Sequence, residues 1–183
     1  MFVRRTEKKD FEEIKKIFAY AREFMRQNGN PGQWSNNRPS DELLLDDIEK
    51  GNSYCIVEGT QAEGTQTECA QTECGQTQDT GKIIGVFTFI PGIDPTYIEI
   101  EGGSWLNDEP YGTIHRMAGA KGAKGIFDIA LSFCENLTDN IRVDTHHDNL
   151  VLQHLAEKHG FQRCGIIYVD DGTPRIAYHK VVR

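Results

Sequence analysis

The sequence has no long hydrophobic run. No stretch of the 183 residues approaches the roughly 18 consecutive apolar residues that a membrane span requires. The N-terminal segment MFVRRTEKKD carries charge from Arg4 onward and has no apolar region of the kind found in signal peptides. We therefore expect no membrane association and a cytoplasmic location.

An excess of basic charge is also missing. The chain has 20 lysines and arginines against 28 aspartates and glutamates, which gives a formal net charge of -8 at pH 7. A general nucleic-acid binder needs a basic face to meet the phosphate backbone. We therefore expect no nucleic-acid partner, although a small local basic pocket is compatible with this balance.

Cysteine is scarce and unpatterned. The five cysteines include no C-x-x-C pair, which disfavours both a structural metal and a disulfide framework. In the segment DTHHDN, His146 and His147 lie between Asp144 and Asp148. Alternation along a strand would direct the two imidazoles to opposite faces. We expect free thiols and no bound metal.

Aliphatic side chains are absent from one long tract. Residues 59–81, GTQAEGTQTECAQTECGQTQDTG, contain no aliphatic residue larger than alanine and no aromatic residue. Such a composition buries too little apolar surface to offset the entropy lost on ordering. We predict a long flexible loop between two strands of a hairpin, within a single domain of residues 1–183.

Hydrophobic periodicity predicts the elements of the remaining chain. Steps of three and four predict helices over 11–25 and 126–137, DELLLDDIEKG predicts a shorter helix, and DNLVLQHLAEKHG predicts a helix capped by Asp148. Short β-forming segments predict strands at MFVRRT, SYCIVEG, KIIGVFTFIPG, PTYIEIEG, TIHRMA and NIRVDTH, with two more in FQRCGIIYVDDGTPRIAYHKVV. The order predicts a mixed α/β sheet, parallel in its second half, with helices on both faces.

The stretch GAKGAKG, residues 119–125, lies between a predicted strand and an amphipathic helix. A helix N-terminus leaves about four amide groups without intrahelical partners and carries partial positive charge. Glycines let a phosphate approach such amides, and Lys121 and Lys124 add cationic side chains. The stretch has neither the Walker spacing nor G-x-G-x-x-G. Taken alone, it fits either a diphosphate site or a tight strand-to-helix turn.

With this loop and the segment that follows it, the chain resembles the GNAT superfamily of acyl-CoA-dependent N-acetyltransferases. The family loop Gln/Arg-x-x-Gly-x-Gly/Ala corresponds to residues 122–127, in which Gly125 is the matching position. Asn149 and the segment LAEKHGF fit a second family motif around the next helix. Within that segment, Ala156 stands where the family often has the tyrosine that protonates the departing CoA thiolate.

The resemblance implies an α/β (α+β) fold with a mixed, largely antiparallel central sheet of about seven strands and helices on both faces. It implies acetyl-CoA as co-substrate, no metal, and direct attack by an amine of a small molecule or a protein. It also implies a set of cofactor-binding residues in the strand end, the loop and the two following helices: Met117, Ala118, Lys121, Gly122, Ala123, Lys124, Gly125, Ile126, Phe127 and Asn149.

Several side chains are candidates for the chemistry that the resemblance implies. Glu99, Glu101 and His115 are candidates for deprotonating the substrate amine, with solvent-facing or structural roles as the alternative. Tyr168 is a candidate for protonating the thiolate, as are Tyr111, Cys134 and His154.

Trp34 and Trp105 lie in irregular segments and are candidates for shaping the amine site, or for closing the end of the core. Asp108 and Glu109 beside Trp105 would favour a cationic amine. A homodimer is expected from the edge strands of such sheets. The alternative functions are a catalytically impaired acyl-CoA-binding or sensing module, or a protein-interaction domain.

Overall fold

The computed structural model describes residues 1–34, 36–60 and 80–183. The strands in these ranges are β1 Phe2–Arg5, β2 Ser53–Thr60, β3 Thr80–Pro91, β4 Gly112–Gly119, β5 Asn140–Thr145, β6 Gln162–Tyr168 and β7 Pro174–Val181. The α-helices are α1 Phe11–Gln27, α2 Asp41–Glu49, α3 Ile126–Cys134 and α4 Leu150–Lys158, with short 3-10 helices at Lys8–Asp10 and Pro95–Tyr97.

The described strands form one seven-stranded sheet in the order β1-β2-β3-β4-β5-β7-β6. All neighbouring pairs are antiparallel except β4 and β5. Those two strands run parallel and pair from Gly112 to Ile114 of β4, and their paired residues end there. The mixed, largely antiparallel sheet of seven strands is therefore confirmed. The predicted parallel second half is correct for β4 and β5 alone, because β7 lies between β5 and β6 and pairs antiparallel with both.

The hairpin of β2 and β3 includes both ends of the predicted flexible loop. The two strands remain paired up to Thr60 and Thr80, so residues 59–60 and 80–81 belong to the sheet and not to a loop. The remaining part of the prediction, 61–79, lies outside the described residues, as do Cys69 and Cys74.

Helices cover both faces of the sheet, as predicted. On one face α3 and α4 enclose a core that includes Phe87, Ile114, Phe127 and Ile141. On the other face α1 and α2 cover the first half of the sheet, where Ile14 and other side chains are buried. None of the helices in the described ranges combines the length and the apolar content needed to cross a bilayer.

The second half of that other face is covered by the irregular segment between β3 and β4, and here one strand prediction is wrong. PTYIEIEG forms the 3-10 helix Pro95–Tyr97 and a single isolated bridge between Glu101 and Ile166. Asp94 starts the helix because its Oδ1 accepts the amide of Thr96 at 2.9 Å and Pro95 has the φ that a first turn needs. The alternating pattern instead buries Tyr97 against the sheet.

Candidate active site

A β-bulge in β4 lies at the point where β4 leaves β5. Arg116 and Met117 stand opposite the single residue Phe87 of β3 at a shift of register. Arg116 has a φ of 47°, an uncommon value for a residue with a side chain. Its guanidinium is held by the buried Asp47 at 2.6 and 2.9 Å. The bulge is thus fixed from α2, and a wedge opens between the ends of β4 and β5.

The wedge leads into a cleft of about 1010 Å³. We divide the cleft by its lining into two parts, the glycine lobe and the histidine lobe. The glycine lobe is bounded by residues 119–128 and by the start of α4 at 148–155. The histidine lobe is bounded by the α1–α2 loop at 28–40, by residues 94–96 and by the β6–β7 turn. His115, Asp144 and Arg175 also line this second lobe.

The glycine lobe is built from backbone. Gly125 caps α3 with a φ of 71°, and it contributes no side-chain cap. In the part of the chain that the structure describes, no protein group accepts a hydrogen bond from the amides of residues 124–127. A Cβ on Gly85 would lie 2.7 Å from Cδ1 of Ile126, so a larger residue there would require the Ile126 side chain to shift. The open amides and the positive end of α3 therefore face the cleft.

Most of the predicted cofactor-binding residues line this cleft. They are Met117, Ala118, Gly122, Ala123, Gly125, Ile126, Phe127 and Asn149. Lys121 and Lys124 are exposed on the turn and are not among the residues that line the cleft within the described chain.

The start of α4 differs from the prediction in one detail. Asn149, not Asp148, caps the helix, because its side chain accepts the amide of Leu152 at 3.1 Å. Its Nδ2 donates to Oε1 of Gln33 at 2.8 Å, which ties α4 to the α1–α2 loop. Ala156 is fully buried in the core. The position at which the family often has a tyrosine therefore presents no acid to the cleft.

His115 and Asp94 form a hydrogen-bonded pair in the histidine lobe. Nε2 of His115 lies 2.8 Å from Oδ2 of Asp94. Burial raises the pKa of Asp94, but hydrogen bonds from His115 and Thr96 outweigh it and lower the pKa to about 2. Asp94 is thus a carboxylate at neutral pH and is placed to accept a hydrogen bond from Nε2 of His115. With Nε2 as the donor, Nδ1 is the ring nitrogen left to act as an acceptor.

Asp144 lies beside that nitrogen. Its Oδ1 is 3.8 Å from Nδ1 of His115 and accepts a hydrogen bond from the Tyr97 hydroxyl at 2.6 Å. Burial, together with the charge of Asp144, raises the pKa of Tyr97 well above its ordinary value. Tyr97 therefore stays a proton donor that holds Asp144 in place. Nε of Arg175 lies 3.8 Å from the other oxygen of Asp144.

The structure does not bring the remaining catalytic candidates into the cleft. Glu99, Glu101 and Tyr168 are not among the described residues that line it. The hydroxyl of Tyr168 donates to Oε2 of Glu101 at 2.9 Å on the exposed surface. Cys134 is fully buried, and burial raises the pKa of its thiol.

Of the two tryptophans predicted to shape the amine site, one lines the cleft and the other does not. Trp34 lines the cleft and packs edge-on against Phe18, with ring centroids 5.4 Å apart. Trp105 stacks on Tyr97 at 5.5 Å and on the guanidinium of Arg142 at 4.0 Å, behind the histidine lobe. Trp105 therefore supports the wall of the lobe from behind. Asp108 and Glu109 beside it are not among the described residues that line the cleft.

The histidine pair of DTHHDN is arranged differently from the prediction. β5 ends at Thr145, so His146 and His147 lie in the following turn with ring centroids 4.2 Å apart, not on opposite faces of a strand. His146, His147 and Asp148 each offer one ligand atom, and these atoms lie within 4.8 Å of one another. Burial, with the charge of His147, lowers the pKa of His146. The absence of a bound metal stays a prediction.

Sequence reasoning missed Asp94, Asp144 as an active group, and Arg175. Asp94 had a usable signal, since an aspartate before a proline is typical of a helix or turn start. Arg175 is one charged residue in the strand pattern PRIAYHKV, and nothing local distinguishes it. These residues acquire a role through the contacts that the sheet makes between distant segments.

No protein-family model matches the sequence, and no curated protein does. Solved structures do match it. A GNAT-family acetyltransferase from Streptococcus agalactiae is 25% identical, with a TM-score of 0.78 over 98% of this chain and 94% of that chain. One from Listeria monocytogenes is 19% identical, with a TM-score of 0.65 over 98% and 94%.

A structure of the NatC complex bound to Gag peptide and CoA contains a chain that is 13% identical, with a TM-score of 0.54 over 100% of both chains. The two less similar matches show the shared fold alone. The match to the Streptococcus agalactiae enzyme extends over nearly all of both chains. The chain therefore has the GNAT fold and is assigned to the GNAT superfamily.

Proposed function

We propose that this protein is an N-acetyltransferase that moves the acetyl group of acetyl-CoA to a primary amine by direct attack. One observation carries the proposal. A single cleft joins open amides at the start of α3 to the His115–Asp94 pair. The first feature suits an anionic cofactor and the second suits removal of a proton from an acceptor.

CoA would lie with its diphosphate on the amides of residues 122–127 and its pantetheine arm in the wedge between β4 and β5. Hydrogen bonds from amides to charged groups contribute about 1.5–3 kcal/mol each. The exposed side chains of Leu150 and Val151 line the same lobe and would be covered by the cofactor. The CoA bound in the NatC structure, which contains a chain of the same fold, supports this co-substrate.

His115 would act as the general base. Asp94 fixes the tautomer, so Nδ1 takes a proton from the acceptor ammonium, directly or through a water. Asp144 lies beside the same nitrogen and would attract the ammonium before it is deprotonated. Tyr97 and Asp94 are positioning residues in this scheme, since they act through Asp144 and His115.

The neutral amine then attacks the thioester carbonyl carbon. The C–N bond forms, the C–S bond breaks, and the electron pair of that bond leaves on the CoA sulfur. Amides near Met117 and Ala118 would stabilise the oxyanion at the end of the bulged strand. The ammonium loses two protons in total. The first is taken by Nδ1 of His115, and the second is transferred to the thiolate, because Ala156 provides no acid of its own.

The experiment measures turnover of acetyl-CoA with a panel of small primary amines, amino acids and peptides. The release of the free CoA thiol is the readout. The proposal predicts thiol release that depends on an amine. CoA binding without thiol release for any acceptor would instead support the acyl-CoA-binding alternative. No CoA binding would contradict both. A cytoplasmic location and a homodimer stay predictions.

A further inference from the structure

The histidine lobe contains a buried arginine that the proposed chemistry does not use. Arg175 is 7% exposed and lines the cleft at the start of β7. Its Nη1 donates to the carbonyl of Pro174 at 3.0 Å. Its closest carboxylate among the described residues is Asp144, with 3.8 Å between Nε and Oδ2. That distance is an ion pair without a hydrogen bond.

The other arginines of the cleft are matched more closely. Arg116 makes two hydrogen bonds to Asp47, at 2.6 and 2.9 Å. Arg38 lies 3.0 Å from Asp171, across the mouth of the lobe. Arg175 combines deep burial with a loosely placed counter-ion that also serves the Tyr97 hydroxyl. A buried guanidinium is costly unless its donors are used, and the partner it fits best is a carboxylate bound in a bidentate manner.

Arg175 and His115 lie on opposite sides of one carboxylate. Nδ1 of His115 is 3.8 Å from one oxygen of Asp144, and Nε of Arg175 is 3.8 Å from the other. An acceptor ammonium at Asp144 and His115 would therefore have a guanidinium close by. A molecule with an amine and a carboxylate on the same carbon matches this pair of charges.

On the side of α1 the lobe has an apolar wall, next to polar loop residues that include Asn28, Asn30 and Gln33. Tyr20, Phe24, Met25 and Trp34 line the cleft there. This wall suits an uncharged side chain better than a second ammonium group. Polyamines and lysine ε-amines fit less well, since they place a positive charge or a long linker where the guanidinium lies.

From this geometry we infer that the acceptor is a free α-amino acid with an apolar side chain, whose carboxylate binds Arg175 while its amine faces His115. The inference rests on the proposed function. Arg175 is a specificity residue in this account, because it contacts the part of the acceptor that does not react.

Matched acceptors test the inference. The wild-type protein should use L-phenylalanine better than 2-phenylethylamine, and L-leucine better than 3-methylbutylamine, by about 10- to 100-fold in kcat/KM, which is the range expected for charge-assisted hydrogen bonds. Arg175→Gln should raise KM for the two amino acids by a similar factor and leave both amines within about twofold. Arg175→Lys should restore part of the preference, because lysine keeps the charge but loses the bidentate geometry.

Arg38→Gln is the matched control, since Arg38 lies at the same lobe but is paired with Asp171. It should leave the preference for amino acids unchanged. A wild-type preference for the amines, or an equal loss for amines and amino acids in Arg175→Gln, would overturn the inference.

A binding measurement separates this inference from the proposed function. Calorimetry with L-phenylalanine and the CoA-loaded protein should give binding to the wild type that is lost in Arg175→Gln. Binding of this kind without any turnover would contradict the acetyltransferase proposal but support the carboxylate site. Absence of both binding and turnover would overturn the carboxylate site as well.

Discussion

The two lobes of the cleft are built from different parts of the chain. The anion site of the glycine lobe is made of backbone from one continuous segment, in which the amides of residues 124–127 at the start of α3 are open. The histidine lobe is made of side chains from four separated positions, Asp94, His115, Asp144 and Arg175. The first lobe therefore depends on local conformation and on the absence of side chains. The second depends on the register of the sheet, which brings distant residues together.

The largest effect is expected in the histidine lobe. His115→Gln keeps a polar side chain of similar size but removes the basic nitrogen, so kcat should fall by about 10²- to 10⁴-fold, the range for a general base. The affinity for CoA should not change, because the base lies in the other lobe. Initial rates with the best acceptor and calorimetry with CoA measure the two quantities.

Tyr168→Phe is the control for that variant. Tyr168 is exposed, pairs with Glu101 and lies outside the cleft lining, so its loss should leave kcat unchanged. If His115→Gln keeps more than about a tenth of the wild-type kcat, the loss is smaller than removal of a general base would cause. That result would show that another group removes the proton.

Two glycine variants can separate loss of the CoA-binding amides in the glycine lobe from a general loss of stability. Gly125 and Gly160 both have positive φ, 71° and 83°, so valine at either position should cost about 1–2 kcal/mol of stability. Only Gly125→Val should weaken CoA binding, by about tenfold or more, because it alone crowds the anion site. Denaturant unfolding and calorimetry provide the two values, and equal loss of CoA affinity in both variants would contradict the assignment.

A smaller effect is expected from the exposed lysines. Lys121→Ala and Lys124→Ala should each raise the dissociation constant for CoA by about two- to fivefold at low ionic strength, as expected for exposed charges. The effect should shrink as salt is added, because screening weakens such interactions. Lys8→Ala, which breaks an exposed pair with Glu49 far along the chain, should have no effect on CoA. A salt-independent loss would indicate a direct contact instead.

Substitution of a histidine that is buried outside both lobes should leave the activity at neutral pH unchanged. His179 is fully buried, and burial, with the charge of Arg142, lowers its pKa from 6.5 to about 4. Between those pH values the unfolded chain binds more protons than the folded one, so the free energy of unfolding should fall as the pH drops through this window. The slope from one group is at most about 1.4 kcal/mol per pH unit.

The measurement is urea unfolding of the wild type and His179→Gln from about pH 7, above the window set by this shift, to about pH 4.5, within it. The difference in stability between the two proteins should change with pH in favour of the variant as the pH falls. A constant difference would show that His179 does not titrate in this range. The comparison between His179 and His115 would then depend only on their positions, one in the core and one in the cleft.

The glycine lobe was predictable because its signals lie close together in the sequence. Small residues before an amphipathic helix indicate open amides, and the structure shows the amides of residues 124–127 without protein acceptors among the described residues. The order of strands and helices was predictable for the same reason, since each element has its own periodicity. The sheet order places β7 between β5 and β6, and that is a tertiary feature which no local pattern contains.

The histidine lobe was predictable in two residues, His115 and Trp34, which both line the cleft. Asp94 lies at the start of a 3-10 helix that sequence alternation presented as a strand. Arg175 lies on β7, a strand late in the chain that pairs with both β5 and β6. The same misassignment led to Glu99 and Glu101 as candidate bases. An alternating pattern indicates which side chains are buried, but it does not show whether the burial is made by a strand or by a short helix packed on one.

The central claim is that the diphosphate of CoA binds the amides at the start of α3. A crystal structure of the protein with CoA tests it most directly. We predict diphosphate oxygens within hydrogen-bond distance of the amides of Gly125, Ile126 and Phe127, at about 2.9 Å. A diphosphate bound elsewhere on the protein, with those amides still facing an empty lobe, would contradict the account.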